Sequence, residues 1–461
     1  MARAMGKFLA PLPGLVCDTL RVMRLLWLLM VALCAPGQDF TSLEQTVRDE
    51  LVRARVPGAS VAIVKGDRVI YSKGFGTANI ETGEAVRPEM LFRLGSTTKM
   101  LTATALVGLS LEGKIDLGAP IGKYITGLPP AISTITANQL LSHTAGIHDE
   151  APMYGSHDDS ALGAGIHKWT DDWLFTKPGR IYSYANPGYW MAGYLVETLS
   201  GKPYADAMAE RVFQACGMKQ TTLRPFAAMT YPLAQGHHER AGKLEIPRPA
   251  ADNAASWPAG SVFSCAPDLA RYVIAFLNDG MLDGKRAMDP RIFALMSTPH
   301  AELPGGDGSY GYGLTIHDVR GIHMVEHSGS RMGYGSAIRM APEQRVAVIV
   351  LANKTGASLP ASSEKAMELM VPLKPRATAA RRVLEVSADD LRRYPGTYRN
   401  GDTRIEVTAR DGRLYVKRAT GSEVALTKVG DGRFTQEGGA GSFVFVDGGY
   451  VHNGGRSFAR Q

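Results

Sequence analysis

Two short apolar runs rich in Val and Ile stand far apart in this chain, at Ala59 to Val64 and at Arg345 to Leu351. Runs of this length and composition are read as strands buried within a sheet, where their backbone groups find partners. The first continues across Lys65-Gly66-Asp67 into Arg68 to Gly74, a hairpin signal. The second is preceded by a strand-like run at Ser336 to Met340. Between them the sequence reads as helix and loop. A long apolar helix is predicted from Ser96 to Leu111, and another from about Pro267, with proline in its first turn and Leu269, Tyr272, Val273 and Phe276 along it. An amphipathic helix is predicted over 41–54, with Leu43, Val47 and Leu51 on one face. Strands at both ends with helices between them predict an α/β (α+β) unit, one mixed sheet flanked by helices with a helical subdomain.

A different pattern follows. Lys374 to Arg382 (KPRATAARR) is basic and poor in large apolar residues, as a linker is. From Thr403 onward short alternating runs recur, with Asp411-Gly412 and Asp431-Gly432 at turn positions. Asp-Gly between such runs predicts hairpins, and the whole reads as a small antiparallel barrel or sandwich with no evident catalytic set. At the other end, Leu25 to Leu33 is apolar, follows Arg21 and Arg24, and precedes Ala35, Pro36 and Gly37. It is too short to span a bilayer and matches a secretory signal peptide. The expected division is 1–37 signal peptide, with Met23 as an alternative start, 38–372 main domain, 373–388 linker and 389–461 small β domain. Export to the periplasm or medium follows. Cys34 offers a lipid-anchor alternative, against which Leu33 stands where a small residue is needed.

The formal net charge is +7. The Lys and Arg residues are scattered and no nucleic-acid module is visible, so the charge reads as a solvated surface rather than a nucleic-acid partner. Cys216 and Cys265 remain after the leader; pairing and two free thiols are both open.

Three short motifs carry chemistry. Ser96-Thr97-Thr98-Lys99 places an amine three residues beyond a hydroxyl, on one helix face and near a helix N-terminus. A lysine held neutral by burial can activate such a serine. Tyr184-Ala185-Asn186 offers a phenol able to shuttle that proton if its pKa is lowered, and an amide that can orient Lys99 or a substrate carbonyl. His327-Ser328-Gly329, followed by Ser330, is expected to begin a strand that lines the site. There the imidazole and hydroxyl would face substrate, Gly329 would allow close approach, and the Ser330 N–H would join that of Ser96 around an oxyanion.

In this order the three motifs resemble the serine β-lactamase and penicillin-binding superfamily, and the Tyr-Ala-Asn form points to the class C branch with its esterase and D-peptidase relatives. LLSHTAGI at Leu140 to Ile147, GKPYADAMAERVF from Gly201, PAGSVFS at Pro258 to Ser264 and YGYGL at Tyr310 to Leu314 extend the likeness over residues 41 to about 370. The C-terminal part resembles the lipocalin-like appendage of some members. The resemblance implies a β-lactamase/transpeptidase-like fold and a serine hydrolase that works through an acyl-enzyme. Ser96, Lys99 and Tyr184 would be catalytic, and Asn186, His327, Ser328, Gly329 and Ser330 would bind substrate or oxyanion. It implies no cofactor and no metal, and as partner only a small-molecule or peptide substrate: an ester, a D-amino-acid peptide or a β-lactam. His327 departs from the lysine common in β-lactamases, which favours the ester and D-peptide readings. A penicillin-binding sensor acylated without efficient turnover is the alternative, and a non-catalytic member is a third.

Two further patterns compete for attention. Lys354-Thr355-Gly356 spells the lysine form of the third motif but follows the Val346 to Leu351 strand, so the third motif is placed at His327. Gly306 to Gly311 fits GxGxxG without a strand before it or a helix after it, which excludes a dinucleotide site. His143, His148 with Asp149, and His237-His238 match no familiar metal-ligand spacing, and His143 is expected to be structural.

Overall fold

A computed structural model describes residues 38–306, 308–376, 383–419, 421–438, 441–446 and 449–461. The expected signal peptide, residues 1–37 with Cys17 and Cys34, lies outside the described residues, as do residues 377–382 of the expected linker. Among the described residues no helix is long and apolar enough to cross a membrane.

Helix α1 (Thr41–Ala54) leads into β1 (Gly58–Lys65), whose residues are all buried except Lys65. It lies inside a nine-stranded sheet with β2 (Arg68–Asn79), β3 (Glu84–Ala85), β4 (Ala301–Glu302), β5 (Ser309–Tyr310), β6 (Thr315–Val319), β7 (Ile322–Arg331), β8 (Tyr334–Ala341) and β9 (Val346–Ala352). The spatial order is β4-β5-β6-β7-β8-β9-β1-β2-β3, and neighbours pair antiparallel. Sequence-distant β1 and β9 are adjacent, with Val61 opposite Val350 and Ile63 opposite Val348. Both are buried along their length, as continuous apolar runs require. Asn353, just past β9, ties three strand ends together. Its Oδ1 accepts from Gly58 N at 2.8 Å, and its Nδ2 donates to the Thr77 and Ala78 carbonyls.

The chain between β3 and β4 holds the helices. Helix α2 (Thr98–Leu111) is buried almost all round, so it serves as the core axis rather than a surface helix. It is joined there by α3 (Asn186–Ser200) and α4 (Ala266–Leu277), and α5 (Pro360–Met370) follows β9. The Glu50 carboxylate accepts from Ala361 N, Ser362 N and Ser362 Oγ, capping the first turn of α5.

After the main body comes a closed eight-stranded barrel: β10 (Gly396–Asn400), β11 (Thr403–Arg410), β12 (Arg413–Arg418), β13 (Val424–Gly430), β14 (Arg433–Gln436), β15 (Ser442–Val446), β16 (Tyr450–Asn453) and β17 (Arg456–Arg460). Pairing of β10 with β17 closes it, so the barrel exposes no strand edge. Alternate residues such as Ile405, Val407, Leu414, Val416, Phe434 and Phe458 fill its core. The Asp411-Gly412 turn is a true hairpin tip, with φ of +51° and +71° at its two residues.

Two expectations need correction. His327 does not begin a strand: β7 starts at Ile322, and the motif sits near its end. His323, Glu326 and the serines break up the apolar pattern, which hid the first half of the strand. Ser96 lies on a short 3-10 turn, Gly95–Thr97, and the α-helix begins only at Thr98. Cys216 and Cys265 are both buried free thiols, each pushed up to about 12 by burial.

Candidate active site

The turn bearing Ser96 is pressed against the end of β7. Gly95 has φ of +56°, and a Cβ there would lie 2.6 Å from Ser330 N. A Cβ on Gly329 would lie 1.9 Å from the Leu94 carbonyl oxygen and 2.5 Å from Ser336 Oγ. Only glycine at both places lets the two backbones meet this closely. Ser336 Oγ donates to Leu94 O and shares a 2.6 Å contact with Thr97 Oγ1, which fixes the turn from the other side. Gly329→Ala is therefore expected to cost about 2 kcal/mol or more through forced separation of turn and strand. Thermal unfolding checks this, and an unchanged midpoint would contradict the packing described.

Lys99 is fully buried, with Nζ 3.1 Å from Ser96 Oγ. The same nitrogen donates to Asn186 Oδ1 at 2.8 Å and to the Ala259 carbonyl at 2.7 Å. Burial pulls its pKa down to about 7; Asp149 opposes that shift and Arg456 adds to it. Asn186 opens helix α3, where both its backbone N and its Nδ2 donate to Asp149 Oδ1, at 2.7 and 3.0 Å. A carboxylate can only accept, so Asp149 sets the amide with its oxygen towards Lys99.

Tyr184 stands half-buried beside this pair, its ring centroid 4.8 Å from Lys99 Nζ. Burial raises its phenol well above the ordinary value, and hydrogen bonding with Ser96 opposes the shift only partly. The condition of a lowered pKa is thus not met at rest, and the group is a neutral phenol that can pass a proton on only by taking one up in the same step. His143, with φ of +59°, accepts from Ala185 N through Nδ1 and packs among the rings of Tyr184, Tyr189 and Tyr310. It supports the segment that carries Tyr184, as expected of a structural histidine.

A cavity of about 730 Å³ opens over Ser96, lined also by Tyr184, Asn186, Trp190, Gly260, Ser330, Arg331 and Arg456. His327, Ser328 and Gly329 are not part of this lining. The His327 imidazole is buried, accepting from Tyr310 OH at 3.0 Å through Nε2 while Nδ1–H donates to Ser328 O at 2.6 Å. Burial, with Lys99 nearby, pushes its pKa down to about 3, so the ring is neutral and its Nε2 is left to accept from the phenol. Its expected direct contact with substrate is corrected to a place behind the wall. Ser328 is exposed and Gly329 is the buried contact with Leu94. Lys354 and Thr355 do reach the cavity wall, although Lys354 Nζ is held by the Ala54 carbonyl and Glu239.

Sequence reasoning missed the contribution of the barrel. The tip between β16 and β17, Gly454-Gly455, sets the Gly455 carbonyl to accept from Tyr184 N at 2.9 Å. Ser457 N and Asn400 Nδ2 donate to Ser183 Oγ, and Ser457 Oγ donates to Tyr182 O. Arg456 Nε donates to Asp149 Oδ2 at 2.6 Å, with Nη2 on the same oxygen. The 182–186 segment thus lies between main body and barrel. In the sequence, only a cation directly after a Gly-Gly hairpin tip hinted at it.

Compared with known proteins, residues 43–369 match the family model for β-lactamases, and the chain belongs to that family. It is 29% identical over 310 residues to penicillin-binding protein 4 of Amycolatopsis lactamdurans, covering 65% of this chain and 81% of that protein. The crystal structure of SurE superposes with a TM-score of 0.74 at 26% identity, over 91% of this chain and 98% of that one. D-alanine carboxypeptidase AmpC from Burkholderia cenocepacia gives a TM-score of 0.58 at 23% identity, over 72% of this chain and 98% of its own, a likeness of fold.

Proposed function

We propose that this chain is an exported serine hydrolase that forms an acyl-enzyme on Ser96 and acts on carboxylic esters or D-amino-acid peptides. The observation that carries this reading is the bonding of Lys99 Nζ. As a neutral amine it spends its two hydrogens on Asn186 Oδ1 and Ala259 O, which leaves its lone pair for the Ser96 hydroxyl at 3.1 Å. The Ser96 oxygen attacks the carbonyl carbon as its proton passes to Lys99, and the N–H groups of Ser96 and Ser330 hold the oxyanion. The Tyr184 phenol relays that proton to the departing group as the carbon–leaving-group bond breaks. Water then attacks the acyl carbon, and its proton passes through the same relay to Ser96 Oγ as the acyl–oxygen bond breaks, which frees the acid and restores the serine.

The His327 imidazole, neutral and outside the cavity lining, supplies no cation to a substrate carboxylate, and an uncharged ester needs none. SurE, solved with D-Leu, is 25% identical to this chain and supports a D-amino-acid substrate. Export rests on the Leu25 to Gly37 pattern alone.

The test is intact mass after incubation with a penicillin and, separately, a short p-nitrophenyl ester, with product release followed in time. A Ser96-dependent adduct with turnover of the ester is expected, and a persistent adduct without turnover would favour the sensor reading. For a neutral ester, kcat/KM should rise with pH on a limb centred at about 7, because raising pH removes the Lys99 proton. A limb near pH 10, or none between 5 and 9, would contradict Lys99 as the base.

A further inference from the structure

Asn186 and Trp190 stand one turn apart on the same face of α3, so the indole lies next to the amide that holds Lys99. Trp190 lines the Ser96 cavity, yet its Nε1 is buried and has no partner among the described residues. What the ring presents to the cavity is therefore carbon. It is backed by aromatic rings: Trp173 meets it edge-on at 6.4 Å, and Trp169 and His148 each stack on Trp173 at 4.6 Å.

From His148 the chain continues as a loop, and Ala151, Pro152 and Met153 of that loop line the same cavity. The loop is pinned from behind. Gly155 N donates to Asp252 O at 3.0 Å and Ala254 N to Ser156 O at 2.8 Å, while a Cβ on Gly155 would lie 2.5 Å from the Asn253 side chain. Next to Met153, the Tyr154 hydroxyl meets Met332 Sγ at 3.5 Å, which ties in the tip between β7 and β8. Met332 lines the cavity too. Trp190, Pro152, Met153 and Met332 thus make one linked apolar wall, of which Met153 is 42% exposed. An apolar side chain left wet at the mouth of a cavity gains when a ligand covers it, and methionines adapt to what they cover. Among the charged residues of the lining, Lys354 is matched with Glu239 at 3.2 Å and Arg456 with Asp149 at 2.6 Å.

We propose that Trp190, Met153 and Met332 determine specificity by holding an apolar group on the acyl side of the substrate, so that the site takes acyl donors with an extended hydrocarbon chain or side chain in preference to acetyl. This rests on the reading of Ser96 as nucleophile and Tyr184 as the donor to the leaving group. Tyr184 stands under the barrel tip, with the Arg456 guanidinium 5.8 Å from its ring centroid. The leaving group therefore departs on the barrel side. The barrel adds nothing to the apolar wall, which is left to the acyl part.

p-Nitrophenyl hexanoate and p-nitrophenyl acetate test it, because they share a leaving group and differ only in the length of the acyl chain. The natural chain is expected to favour the hexanoate about tenfold or more in kcat/KM. Met153→Ser and Met332→Ser should each cut that preference about threefold, and together should nearly abolish it. Phe226→Ser, at an exposed apolar side chain outside the cavity lining, should leave the preference as it is. Binding is read separately by saturation-transfer NMR of methyl hexanoate on the Ser96→Ala protein. There the terminal methyl should be strongly saturated, and should lose most of that signal when Met153→Ser and Met332→Ser are added. Equal use of the two p-nitrophenyl esters, a preference that survives in the double serine variant, or one that falls as far with Phe226→Ser would overturn the assignment. If neither ester is turned over, the nucleophile reading fails, and the NMR comparison still decides whether the wall holds an acyl chain.

Discussion

Ser96→Ala is expected to lower kcat/KM for a p-nitrophenyl ester by roughly four to six orders of magnitude and to abolish the covalent adduct. Lys99→Met should fall to a similar level, because the hydroxyl without its base is no better a nucleophile than the missing one. The decisive measurement is the double variant. Two groups that act as one unit lose their joint contribution when either goes, so Ser96→Ala/Lys99→Met should be about as slow as each single change. Independent contributions would multiply instead. The 3.1 Å contact between Nζ and Oγ, and the full burial of the amine, argue for the unit. Activity of more than a hundredth in Ser96→Ala would sink the mechanism. A double variant far slower than either single one would show that Lys99 acts elsewhere in the reaction.

How much of this site could be read from the sequence depends on how local each contact is. Ser96 and Lys99 are three residues apart, and helical spacing alone brings them together. Tyr184 and Asn186 needed the pattern of three motifs, since nothing in their own neighbourhood places them near Ser96. The β1–β9 core was legible because both strands are buried on both faces and read as unbroken apolar runs. β7 was half hidden because its polar residues break the pattern, and without its first residue the facing of His327 could not be settled: a register error of one residue turns every side chain over. The rise of the Tyr184 phenol could not be foreseen either, because desolvation by residues distant in the chain outweighs the hydrogen bond with Ser96 and the Arg456 charge, and none of this is visible in one dimension. Least legible was Arg456, which meets Asp149 across 307 residues and two differently built parts of the chain.

That distant pair gives the second large expected effect. Asp149→Ala removes the acceptor of both Asn186 N–H groups, leaving Arg456 unmatched and freeing the Asn186 amide to turn away from Lys99. A fall in kcat of about a hundredfold is expected, with a smaller change in KM, because the loss is in the alignment of the base. Asp149→Asn keeps an acceptor oxygen but removes the charge, so it separates geometry from electrostatics. Asp149 raises the Lys99 pKa and Arg456 lowers it. Removing the aspartate charge must therefore move the acid limb of kcat/KM to lower pH, and Arg456→Gln must move it to higher pH. A purely structural role for the pair would move both limbs together or neither. Opposite shifts would mean that a barrel residue sets the proton affinity of the base, and that the appended β domain is part of the catalytic apparatus. If Arg456→Gln leaves the limb in place while activity falls, the barrel acts only by holding the 182–186 segment through Gly455, Ser457 and Asn400.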